Sequence, residues 1–536
     1  MKKGVRGKGK EIGSTVINND GAILKKGGME MLKRKRLLFL CLISAFVFIL
    51  SIQPVFAQEL TPAKKTAVAW VDGAKATFEE TAKYIWDNPE LSLVEFKSSG
   101  KLQEYLAKNG FKIEKGVAGM PTAFVATWGS GKPVIGFLAE FDALPNLSQK
   151  SGELTRSEIA SGGPGHGCGH NILGTASCTA AIATKVAMEK QGIKGTIKVF
   201  GTPAEETLIG KVFMARDGVF DGTDIMISWH PDDVNRVDYS SMLAVTSVKF
   251  QFKGKSAHAA AAPEMGRSAL DAVELMDAGM NFMREHVPQE VRIMYVITKG
   301  GEVPNNVPPD AEVWYFIRAP RRTQVDHVWN WMQDVAKGAA LMTQTKMSYN
   351  ILAAAWEVLP NKVLVKMGDV NVTTIGPPDF TPEDQKFGEA IVKSLGKEVK
   401  GSVFDTTITH PDLSRTFPDV DVVKASSDWG NVSWMFPTLL FNAATKAKGT
   451  PNHSWQMVCQ TSTSPALKAG LAVSKWMAAS ALDCLTKPEM IAEAWKEHNK
   501  SLAETKYYHP IPADLKVPTF KDLYGIEPEA VPGAKK

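Results

Sequence analysis

Cysteine is scarce in this chain, 5 in 536 residues, and the five show no framework spacing. Disulfides are therefore not its organising principle. An excess of one charge is also missing. There are 62 Lys and Arg against 57 Asp and Glu, a formal net charge of +5, and the basic residues crowd the first 36 positions. No basic stripe with interleaved aromatics occurs, which argues against a nucleic-acid partner. No internal repeat is visible. Beyond residue 52 no segment is apolar enough for a membrane span of ~20 residues. What is present is an ordinary globular balance, 44% hydrophobic and 22% charged, at a length that favours two domains over one simple core.

The N-terminus reads as a targeting segment. Met31-Leu32-Lys33-Arg34-Lys35-Arg36 is basic, and Leu37 to Ile52 is apolar apart from Ser44 and Ser51. Val55-Phe56-Ala57 then offers a cleavage site, with a mature start near Gln58. Residues 1–57 are thus expected to be leader and signal peptide, with Met29 and Met31 as alternative starts. The expectation is an exported, periplasmic or extracellular protein with no stable membrane span after cleavage. Four cysteines remain in the mature chain: Cys168, Cys178, Cys459 and Cys484.

The body alternates helix and strand patterns. Thr61 to Trp86 and Ser98 to Asn109 are expected helices. Thr122 to Trp128, Pro133 to Leu138, Thr196 to Phe200 and Ile225 to Trp229 are expected strands, with an Ala-rich helix over Ile172 to Lys190. This order predicts an α/β fold with a doubly wound mixed sheet, whose ligand site lies at the strand carboxyl ends. From Leu243 the pattern becomes β-α-β-β-α-β, a ferredoxin-like α+β unit. The expected division is a catalytic domain in two parts, 58–242 and 357–536, around an inserted lid and dimerisation domain, 243–356. The Pro-rich tail from Tyr507 is expected to wrap the surface as coil.

Residue types able to bind a metal follow four expected strand ends. They lie in Glu140-Phe141-Asp142, in Gly165-His166-Gly167-Cys168-Gly169-His170-Asn171, in Glu205-Glu206, and at His230. In extended backbone, Cys168 and His170 two apart would point the same way. Glu205 and Glu206, adjacent, would point to opposite sides, one as ligand and one toward the attacking water. With His453 these residues form a mixed N/O/S set suited to one or two divalent ions. His166 reads as a neighbour that steadies the ligands. His286, His327, His410, His498 and His509 read as structural.

The ordered motifs AEFDALP, GHGCGHN, GTPAEET, SWHP, GKSAHAA, PNNVPPDAEVWYFIR, SSDWGNVSW and GTPNHSW resemble the aminoacylase and metallocarboxypeptidase superfamily. Within it they are most similar to the amidohydrolase branch that contains the B subunit of p-aminobenzoyl-glutamate hydrolase. The resemblance runs from about Thr66 to Pro512. It implies Cys168, His170, Glu206, His230 and His453 as ligands of Mn2+ or Zn2+, and Glu205 as general base. His258 would reach a partner subunit's site and stabilise the oxyanion, while Asn305 and Arg318 would hold a substrate carboxylate. Asn306 is the other reading of the Asn305 position. Asp142, with Glu140, would touch metal or orient its ligands.

The expected activity is hydrolysis of an amide bond in an N-acyl amino acid or small peptide bearing a carboxylate. Glu205 would take the proton of the attacking water and pass it to the leaving amine. The expected partners are a second copy of the chain and, from kinship to a B subunit, a second kind of subunit. A cysteine hydrolase using Cys168 and His170 is a competing reading, as is an exported non-catalytic binding protein or an inert partner subunit of a heteromeric hydrolase.

Overall fold

The computed structural model describes residues 59–533, so the expected leader and signal segment lies outside the described residues. The strands are β1 (Lys112–Lys115), β2 (Phe124–Ser130), β3 (Val134–Ala139), β4 (Gly195–Gly201), β5 (Ile225–Asp232), β6 (Arg236–Asp238), β7 (Ser241–Met242), β8 (Ala244–Lys253), β9 (Arg292–Lys299), β10 (Asp310–Ala319), β11 (Lys346–Ala355), β12 (Val422–Val423) and β13 (Thr438–Ala444). Seven of them form a mixed sheet in the order β1-β2-β4-β3-β5-β13-β6. Its centre, β4-β3-β5-β13, is parallel. Every residue of β3 is buried, as expected of a strand covered on both faces. The helices His170–Gln191 and Ser464–Thr486 cover one face, and the layer holding Leu138, Phe200, Val212 and Phe213 covers the other.

Strands β8 to β11 form a separate antiparallel sheet, ordered β11-β8-β10-β9, with the helices Ala269–Met283 and Arg322–Thr343 on one face. Along β10 the residues alternate. Ala311, Val313, Tyr315, Ile317 and Ala319 are buried under the helices, whereas Glu312, Trp314, Phe316 and Arg318 lie on the opposite face. This period of two follows from the strand pleat.

Two expectations are corrected. Thr61 to Trp86 is not one helix but two, Pro62–Gly73 and Lys75–Asp87. Gly73 and the non-helical ψ of 3° at Ala74 break it, with the Ala74 N–H turned back onto Trp70 and Val71. The tail is not plain coil. It carries a helix, Phe520–Tyr524, and buries Ile511, Phe520 and Leu523. No helix among the described residues is long and apolar enough to cross a membrane.

Candidate active site

The carboxyl ends of β3 and β4, the end of β5, the start of helix His170–Gln191 and the loop before helix Trp455–Gln460 converge on one cluster. The donor atoms of Cys168, His170 and His230 lie within 4.8 Å of one another, as do those of Cys168, Glu206 and His453, and those of Glu140, His170 and Glu205. Cys168 belongs to two of these sets and His170 to two. All five expected ligands and Glu205 are therefore brought together.

The local geometry differs from the extended backbone expected. His170 opens its helix, and Gly169 before it has φ of 81°. Cys168 and His170 converge through a left-handed turn that favours glycine. Glu205 and Glu206 sit in a turn entered through Ala204, whose φ is 57°. That strained conformation is held on both sides. The Ala204 N–H donates to Glu95 Oε1 at 2.9 Å, and the Ala204 carbonyl accepts from Ile209 at 3.0 Å. His453 is also left-handed, at φ 56°, and its N–H donates to the Gly167 carbonyl at 2.9 Å. It is the most exposed member of the cluster.

Hydrogen bonds fix the ring tautomers. His170 Nδ1 donates to Asp142 Oδ1 at 2.9 Å, which leaves Nε2 free to ligate, 3.3 Å from Glu140 Oε2. His230 Nδ1 donates to the Pro231 carbonyl at 2.8 Å, and its Nε2 faces Cys168 Sγ at 3.3 Å. His453 Nε2 is 3.3 Å from Glu206 Oε2. Asp142 thus orients a ring, the common arrangement behind a ligating histidine. Its other oxygen accepts the Glu206 N–H at 2.9 Å and the Ser92 hydroxyl at 3.1 Å. His166 Nε2 lies 3.2 Å from the Ile85 carbonyl, and the ring feels the charges of His170 and Asp142.

Electrostatically the cluster suits a cation. Burial pushes the Glu206 carboxyl up to about 8 and the Cys168 thiol up to about 12. Burial and neighbouring Glu140 hold Glu205 well above the usual carboxylate range. Burial lowers His453 to about 4. His170 Nε2, Glu140 Oε2 and Glu206 Oε1 are buried without a hydrogen-bond partner. A divalent ion would satisfy these atoms together, and a mixed N/O/S set matches one.

Sequence reasoning missed the corner behind Glu140. Lys211, fully buried, donates to Asp428 Oδ1 at 2.5 Å and to Glu140 Oε1 at 2.7 Å. Burial opposes its charge, but Asp428, Glu140 and Glu205 outweigh that and hold the ammonium protonated. Glu95 was missed as well. Burial and Asp142 push it up to about 8, and it accepts from Leu93, Thr122 and Ala204. A lone lysine in the apolar stretch Leu208 to Met214 was the only signal for the first, and nothing local marked the second.

Arg318 lies on the β10 face opposite the helices. It forms no ion pair among the described residues, and its Nε has no hydrogen-bond partner. Its guanidinium rests 5.3 Å from the centre of the Phe316 ring, and Glu205 is the carboxylate whose charge it feels. His258 and Asn305 are exposed in loops of the four-stranded sheet, and among the described residues no hydrogen bond or ion pair joins them to the cluster. His258 Nδ1 accepts the N–H groups of Ala260 and Ala261 at 3.2 and 3.1 Å, so its Nε2 carries the proton. Asn306 Oδ1 is taken by the Ser256 hydroxyl at 2.6 Å, while among the described residues the Asn305 side chain makes no such bond.

A family model described as a peptidase dimerisation domain matches residues 244–342. Over 464 residues the chain is 37% identical to the B subunit of the p-aminobenzoyl-glutamate hydrolase of Escherichia coli, covering 83% of this chain and 96% of that protein. It is 28% identical to the Xaa-Arg dipeptidase of Mus musculus, covering 84% of this chain and 95% of that one. Among solved structures, a dinuclear metal-binding peptidase of the M20 family from Bacillus subtilis is similar in fold. Its TM-score is 0.50 at 17% identity, covering 77% of this chain and 99% of that one.

Proposed function

The chain belongs to the M20 family of metal-dependent peptidases and amidohydrolases, and on that premise we propose that it cleaves the amide of an N-acyl amino acid or small peptide whose carboxylate is held by Arg318. p-Aminobenzoyl-glutamate is the first substrate to try, since the Escherichia coli relative is named for it. The observation that carries this reading is the position of Glu205, between a metal-binding cluster and an arginine that has no carboxylate partner of its own among the described residues.

In this proposal Cys168, His170, Glu206, His230 and His453 hold the ion or ions, with Asp142 steering the His170 ring. Zn2+ or Mn2+ is the candidate, the thiolate favouring zinc. A bound divalent ion lowers the pKa of water and polarises the scissile carbonyl. Glu205 takes the proton of the attacking water and returns it to the leaving amine. Arg318 forks onto the substrate carboxylate, a geometry guanidinium suits, and Asn305 would help to hold that carboxylate. The Nε2–H of the partner's His258 donates to the oxyanion.

That last role needs a dimer. Met294, Val296 and Ile297 on edge strand β9, Phe282 on the helix Ala269–Met283, and Leu341 and Met342 at the end of Arg322–Thr343 are exposed. Such a surface fits a second copy of the chain, and a second kind of subunit would compete for it. Export to the periplasm or exterior belongs to the same proposal, and N-terminal sequencing of the secreted chain tests it.

Glu205→Gln should lower kcat by about 10²–10⁴-fold while elemental analysis finds the wild-type metal content. Near-normal turnover of p-aminobenzoyl-glutamate or N-acyl amino acids by that variant would remove Glu205 from its role.

A further inference from the structure

Ser92 sits between Leu91, which bridges to Ala143, and Leu93. It is fully buried, and its hydroxyl proton goes to Asp142 Oδ2, 3.1 Å away. Tyr524 is a neighbour of the Ser92 side chain and feels the Asp142 charge. Tyr524 ends the helix Phe520–Tyr524, whose first turn is closed by a reciprocal pairing of Thr519 and Asp522. Phe520 and Leu523 are buried and anchor it. The Asp522 carbonyl, two residues before Tyr524, accepts Lys249 Nζ from β8 at 2.7 Å. One short helix of the tail is therefore tied on one side to the four-stranded sheet. On the other, Tyr524 neighbours Ser92, whose hydroxyl leads through Asp142 to the His170 ring.

We propose that Tyr524 and Ser92 are positioning residues of the metal centre, through which the C-terminal segment holds the Asp142 carboxylate and so the His170 ring. Asp142 has three neighbours to align: the His170 ring, the Glu206 N–H and Ser92. With the hydroxyl gone, the carboxylate keeps only the two bonds that face the cluster. It can then turn about its own bond, and the His170 ring turns with it. Groups behind a ligating histidine commonly set metal affinity. The inference rests on the proposed function, in which His170 is a ligand.

The test uses the mature full-length chain loaded with Co2+, whose thiolate absorption band reports the Cys168 environment, with the ion then withdrawn by a competing chelator. Ser92→Ala should hold cobalt about 10–100-fold more weakly. Tyr524→Phe, which removes only the hydroxyl, should weaken it about three- to tenfold. Ser92→Thr, which keeps the hydroxyl, should restore most of the loss. At saturating metal the variants should keep KM and lose kcat. Variants that hold cobalt within twofold of wild type overturn this inference alone. A wild-type chain that binds no cobalt removes the functional reading, and this inference with it.

Discussion

Lys211 shows how much of the site depends on a side chain that touches no solvent. Its ammonium sits among Asp428, Glu140 and Glu205, all buried. Taking such a charge out of water costs several kcal/mol, offset only while its partners stay in place. Lys211→Met leaves Glu140 and Asp428 buried without their cation, so the unfolding free energy should fall by about 3–5 kcal/mol. Denaturant titration of the metal-free chain measures this, and a loss below about 1 kcal/mol, the worth of an exposed pair, would show that the network carries little. Asp428 lies 217 positions from Lys211, and no local pattern announces a pair that distant. Cys168, His170, Glu205 and Glu206 were legible because each motif is a few residues long, the first opening an expected helix and the second following an expected strand. Their backbone was not. Whether Gly169 and Ala204 enter left-handed turns depends on what packs around them, so the residue types could be read and their conformation could not.

Among the elements, the helix Pro488–Glu504 carries a titration that bears on stability. His498 is buried on it, its ring against Trp495 and its Nε2 without a hydrogen-bond partner. Burial lowers it from 6.5 to about 4, with the Trp434 backbone opposing. The unfolded chain takes this proton near pH 6.5 and the folded chain only near 4, so between those values the unfolded state binds more protons. Stability is therefore lost as pH falls through this window, by up to about 3 kcal/mol from this group. In His498→Phe that part of the slope should vanish. Parallel slopes for variant and wild type between pH 4 and 6.5 would dismiss His498 as the cause. The long helix His170–Gln191 lies within two residues of where its pattern places it, Ile172 to Lys190. The break at Gly73 and Ala74 is not legible in the same way, because both flanking segments share one apolar rhythm and a single non-helical residue does not interrupt it.

For the molecule as a whole, the order of elements was readable. The switch from alternating α/β to β-α-β-β-α-β marks the four-stranded sheet, and the family model falls on it. Within one chain, no hydrogen bond or ion pair among the described residues joins His258 to the metal-binding cluster. If each site borrows His258 from its neighbour, mixing inactive Glu205→Gln with inactive His258→Ala chains should regenerate activity. In a mixed dimer one site has both residues intact, so random pairing should recover about a quarter of wild-type activity. No recovery after verified subunit exchange would place His258 outside the shared site.

The alternation along β10 also governs how this part of the chain can vary in length. Arg318 lies on the face opposite the helices because it is an even step from Phe316, Trp314 and Glu312. One inserted residue within β10 would carry Arg318 under the helices and turn Ile317 outward. The same insertion between Gly300 and Pro309, outside the strands, leaves the alternation untouched. Gains and losses of sequence in this domain should therefore collect in its loops, where they leave unchanged the face of the sheet that Arg318 occupies.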